Sequence, residues 1–133
     1  MRFYVASGLE NREIAADMIH FLANKGHIPT YDWTENGDVR GQGLDRLLAT
    51  SVSEASAVRD AELVLVLLPG GYGTHTELGI ALATRSNKRI ILWSATGKEF
   101  EDGPNTCVFY HHQSIDKITS TFEELKAYLN TIL

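Results

Sequence analysis

Residues 63–68 read LVLVLL, six apolar side chains with no polar position on either face of an extended chain. A strand apolar on both faces must be covered on both. The architecture that does this is a parallel sheet with helices packed above and below it. The run stops at Pro69, and three glycines follow at 70, 71 and 73 before a helical pattern begins. One buried parallel strand leading through a glycine-rich turn into a helix restricts the whole chain to an α/β arrangement.

The flanking segments supply the remaining layers. Residues 3–6 (FYVA) read as a short buried strand broken by Ser7-Gly8. Between 10 and 24 the apolar residues Ile14, Met18, Phe21 and Leu22 recur at helical spacing, and Gly26 follows as a stop. Residues 27–33 (HIPTYDW) read as a strand whose proline suits a sheet edge. Residues 34–43 form a polar loop, and 44–60 an interrupted helix. After the central strand, 76–86 reads as a helix, 89–93 (RIILW) as a fourth strand, 95–105 as a loop and 106–110 as a fifth strand. The last helix starts on a capping box from Thr121 to Glu124, with an apolar stripe of Phe122, Leu125, Leu129 and Ile132. The order β-α-β-α-β-α-β-β-α predicts one domain over 1–133. Its fold would be Rossmann-like (flavodoxin-like), doubly wound around a mainly parallel five-stranded sheet.

Composition narrows the function. A chain of 133 residues, 44% hydrophobic and 22% charged, is globular and long enough for a core. Its net charge of −5, with no lysine or arginine cluster, argues against a nucleic-acid partner, whose phosphates would need neutralising. The single cysteine, Cys107, excludes an internal disulfide and reads as core. No stretch approaches the ~18 apolar residues of a membrane span, and the start MRFYVASG lacks the layout of a signal peptide. The expectation is a soluble, cytoplasmic protein. His111 and His112 have no carboxylate or cysteine at ligand spacing, so no metal or cofactor is expected.

Ligands of doubly wound sheets bind beyond the carboxyl ends of the strands. Two turns fall there, Ser7-Gly8 and Pro69 to Thr74. Glycines 70, 71 and 73 permit positive φ and close approach to a ligand, and Thr74 is placed to cap the next helix, whose amides favour an anion. Glu77 has two readings. THTE, Thr74 to Glu77, fits a capping box. Yet the turn holds more glycine than a cap needs, and a carboxylate in the first helical turn is favoured in its ionised form, which suits a nucleophile. Asp32 and Trp33 end the second strand on the same side, where Trp33 would stack on a base and Asp32 would bond to the base, act as proton donor or merely start a turn. Asn36 and Asp38 lie in the loop that follows. His75, two residues from Glu77, does not share its helix face.

The segments PGGYGTHTELGIALA, FYVASG and EASAVRDAELVLVLLP together resemble the nucleoside 2-deoxyribosyltransferase superfamily, which includes a branch of nucleotide N-hydrolases. PGGxGTxxE alone also occurs in the cytokinin-activating phosphoribohydrolases, which are longer and carry a further glycine-rich motif not found here. Both groups cleave N-glycosidic bonds. The resemblance implies that Glu77 attacks C1′ of the sugar and expels the base, with the glycosyl-enzyme passing to water or to a second base. It implies that Tyr4 orients Glu77. Glu54 falls where the family has an aspartate that contacts the nucleoside and helps the base leave, and is one methylene longer. Gly71 stands where transferases often carry a base-recognising aspartate. Gly8 and Glu10 stand where the phosphate-specific branch has serine and arginine; Ser7 is one place off and Arg12 two places on.

The implied substrate is a (deoxy)nucleoside or its 5′-monophosphate. Ser7, Gly8, Asp32, Trp33, Gly70, Gly71, Gly73 and Thr74 are the candidate contacts, and the glycine turn leans toward a phosphate. Base exchange and a non-catalytic nucleotide sensor are the alternatives. In the superfamily, residues near the C-terminal strand complete a neighbour's site, so a homo-oligomer is expected, with Asn105 and Tyr110 to His112 as candidate subunit contacts.

Overall fold

The computed structural model describes residues 1–133. Five parallel strands form one sheet in the order β2-β1-β3-β4-β5. They are β1 (Arg2–Ser7), β2 (Ile28–Pro29), β3 (Leu63–Leu67), β4 (Arg89–Ser94) and β5 (Ile115–Thr119). The helices between and after them are α1 (Arg12–Ala23), α2 (Leu44–Asp60), α3 (Tyr72–Ala83) and α4 (Phe122–Ile132). This is the flavodoxin-like doubly wound fold expected from the alternating pattern. LVLVL supplies the sheet centre, and every residue of β3 is buried. β1 pairs with it in register from Phe3–Leu63 to Ser7–Leu67. Lys126 of α4 reaches Asp17 of α1 at 2.8 Å, while α2 and α3 pack against each other and against β1.

Several boundaries differ from the sequence reading, each for a physical reason. The fifth strand is not 106–110. Those residues lead into a short 3-10 turn at Val108–His111, where Val108 and Phe109 are exposed, and the strand is IDKIT, Ile115–Thr119. An edge strand needs few apolar residues, so its charged positions hid it. β2 is only Ile28–Pro29: the Ile28 and Thr30 amides bond the Met1 and Phe3 carbonyls at 3.0 and 2.9 Å, Pro29 faces the open edge where no donor is needed, and Trp33–Glu35 then turns into a 3-10 segment. The helix expected at 10–24 begins with a 3-10 turn at Leu9–Asn11. The helix over Leu44–Asp60 is continuous. Cys107 is half-buried at the margin of the core and not inside it.

The shift that bears most on the site lies at α3, which starts at Tyr72, four residues earlier than expected. Gly71 is its N-cap residue, and the Gly71 amide donates to the Thr74 hydroxyl at 3.1 Å. Thr74 is therefore inside the first turn and caps nothing from 74 onward. A capping box from Thr74 to Glu77 does not form.

Candidate active site

In a 2-1-3-4-5 sheet the strand order reverses between β1 and β3, and their carboxyl ends open the crevice where ligands bind. The residues after β1 and after β3 meet there. The Gly8 amide and Asn11 Nδ2 both donate to the Pro69 carbonyl, each at 3.2 Å. Ser7 Oγ donates to the Leu67 carbonyl at 2.6 Å, so it joins the two strands and is not directed at a ligand.

The glycines of the second turn act differently from one another, and none of the three has positive φ. A Cβ on Gly70 would lie 2.4 Å from Thr74 Cγ2, so only glycine admits the threonine packed beneath it. A Cβ on Gly71 or Gly73 would meet nothing within 4 Å. These two leave bare backbone on an open surface. Thr74 is buried and turned inward toward Gly70 and Gly71, not outward.

Behind the turn lies a buried carboxylate. Glu77 is 7% exposed and sits in the second turn of α3, facing β1. The Tyr4 hydroxyl, fully buried on β1, donates to Glu77 Oε2. Burial pushes the Glu77 carboxyl up to about 8; the Tyr4 hydrogen bond opposes this and the charge of Glu54 adds to it. The expectation that the helix N-terminus would favour the charged form is thus reversed, because Glu77 lies a turn too deep and desolvation dominates. Tyr4 is pushed up as well, chiefly by burial and then by the charges of Glu77 and Glu54. Glu54, half-buried on α2, is raised by burial. Tyr4, Glu54 and Glu77 therefore converge from three elements. No ion pair involves Glu77. Such a carboxylate costs stability, and groups of this kind concentrate at functional sites.

Asp32 and Trp33 have mainly structural partners. Asp32 Oδ1 accepts from the Thr34 amide at 2.9 Å and from the Thr34 hydroxyl, which is the turn-starting alternative. The Trp33 indole is buried in the core and its Nε1–H donates to the Val5 carbonyl at 2.7 Å, so it does not present a free stacking face. No group of three or more His, Cys, Asp or Glu is placed to hold a metal. A surface cleft of about 400 Å³ between the β2 edge and α2, lined by Tyr31, Ser53 and Ser56 among others, excludes Tyr4 and Glu77.

One partnership had no signal in the sequence. His75 Nδ1 lies 2.6 Å from the Gly71 carbonyl, and Nε2 lies 2.6 Å from the hydroxyl of Tyr110. The rings stack at 5.7 Å. This ties the glycine turn to the segment before β5, across 35 residues of chain.

No family model and no curated protein sequence matches the chain. Solved structures similar to it include the following two. The CMP N-glycosidase BcmB of Clostridium botulinum is 22% identical over 100% of both chains, with a TM-score of 0.69. A 2-deoxyribosyltransferase from Bacillus psychrosaccharolyticus is 18% identical over 96% of this chain and 92% of that one, with a TM-score of 0.70. At these identities the likeness is one of fold, and it extends over nearly the whole of all three chains.

Proposed function

We propose that the chain cleaves the N-glycosidic bond of a (deoxy)nucleoside or its 5′-monophosphate. One observation carries this reading: a buried carboxylate without a counter-cation, held by a buried tyrosine at the reversal point of the sheet. The full-length likeness to a CMP N-glycosidase and a 2-deoxyribosyltransferase supports it.

In this reading a Glu77 oxygen bonds to C1′ as the C1′–N bond breaks. The electron pair leaves on the base nitrogen, which takes a proton from Glu54. A water oxygen then attacks C1′, Glu77 departs with its electron pair, and Glu54 recovers a proton from that water. Tyr4 orients the Glu77 carboxylate and spreads its charge. The bare backbone of Gly71 and Gly73 faces the sugar end. If a second base replaces water, the same intermediate gives base exchange.

The test is release of free base, followed chromatographically over a panel of ribo- and deoxyribonucleosides and their 5′-monophosphates, with and without a second base. The expected result is base release that vanishes in Glu77→Gln. Ligand binding without turnover in either protein would instead establish a sensor.

We further infer that the protein associates with copies of itself. Leu44, Leu48 and Val52 are 82%, 67% and 58% exposed and follow one another at four-residue spacing along α2, with Tyr72 almost fully exposed at the start of α3. An apolar stripe of this kind marks an interaction face.

A further inference from the structure

Glu10 lies in the turn after β1, and its carboxylate folds back over Gly8. A Cβ on Gly8 would lie 2.5 Å from Glu10 Oε2 and 2.6 Å from Oε1. The turn is itself bound to Pro69 through Gly8 and Asn11, directly before the glycine turn. A negative charge therefore stands at the entrance between the two turns. In doubly wound folds the first βα turn is where a phosphate is held, by free amides and a helix N-terminus. Here the Gly8 amide is bonded to Pro69, the Gly71 amide to Thr74, and the Thr74 hydroxyl is turned inward. Arg12, which follows the turn, is engaged elsewhere: its Nε donates to the Thr34 carbonyl at 2.6 Å, and its Nη1 lies against Gly37.

We propose that the entrance selects an unphosphorylated nucleoside over its 5′-monophosphate, with Glu10 accepting a hydrogen bond from the 5′-hydroxyl. This rests on the reading of the β1/β3 crevice as the nucleoside site. A 5′-phosphate removes the hydroxyl proton that Glu10 would accept and sets a dianion beside a carboxylate. Loss of the bond and like-charge repulsion act in the same direction.

The experiment measures kcat/KM and, by calorimetry, Kd for matched nucleosides and 5′-monophosphates, in the wild type, Glu10→Gln and Arg12→Gln. The expected result is a preference for the nucleoside of at least about tenfold, narrowed several-fold in Glu10→Gln and unmoved in Arg12→Gln. A preference for the monophosphate, a ratio unchanged in Glu10→Gln, or binding of neither ligand overturns the proposal. Binding separates this from the catalytic reading. Nucleoside bound in preference but never cleaved removes the N-glycosidase function and leaves the selection standing; monophosphate cleaved in preference does the reverse.

Discussion

At the scale of single residues, Glu77 is the group on which most depends. Its folded pKa is raised to about 8 from an ordinary value of 4.5. The folded state therefore keeps a proton that the unfolded chain loses between those values. Stability from this group is complete below about pH 4.5, falls as pH rises to about 8, and is level above that. Glu77→Gln removes the dependence. The expected outcome is a variant with no turnover whose Tm exceeds that of the wild type at pH 8.5 by several degrees, with the gap closing by pH 5, measured by thermal melts. Catalysis needs Glu77 ionised and Glu54 protonated at once, so wild-type kcat/KM should be bell-shaped in pH, with one limb set by the Glu77 group near 8. Tyr4 lowers the Glu77 pKa by donating to its charged form. Tyr4→Phe should cut kcat by about 10- to 100-fold and move the limb set by Glu77 to higher pH. A purely structural tyrosine would leave that limb in place.

At the scale of elements, the turn from β3 into α3 sets a tightly packed glycine and two open ones within a few residues. Gly70→Ala forces a methyl into Thr74 and should lower stability by about 1–3 kcal/mol. Gly73→Ala meets open space and adds a better helix former, so its Tm should be unchanged or slightly raised. If the backbone of this turn faces the sugar, Gly73→Ala raises KM in spite of its intact fold. Denaturant melts beside steady-state kinetics distinguish the two variants. Equal loss of stability in both would remove the ligand-facing role of the turn.

At the scale of the molecule, an apolar stripe on α2 stays exposed although the core beneath the sheet is complete. Light scattering coupled to size exclusion should show a species larger than the 14.8 kDa chain. Leu48→Glu should shift it toward the monomer, since a charge in a buried apolar contact is strongly disfavoured. An unchanged mass in Leu48→Glu would place any interface elsewhere.

The chain itself determined its class. LVLVLL requires cover on both faces, and helical periodicity at 10–24 and 44–60 supplies it. The glycine turn behind β3 and the resemblance carried by PGGYGTHTELG, FYVASG and EASAVRDAELVLVLLP single out Glu77, Tyr4 and Glu54 from sequence. Tertiary structure decided what local patterns leave open. THTE fits a capping box on spacing alone, and only the start of α3 at Tyr72 places Glu77 one turn deeper, against Tyr4 across 73 residues. Strand β5 was hidden because an edge strand carries charges, whereas the apolar 106–110 segment leads into an exposed turn. Ser7, Thr74 and Trp33 carry polar groups suited to a ligand, yet each is engaged by protein atoms brought close by the fold. A hydrogen-bonding side chain announces its capacity in sequence; which partner takes it depends on what the packed sheet and helices bring within about 3 Å.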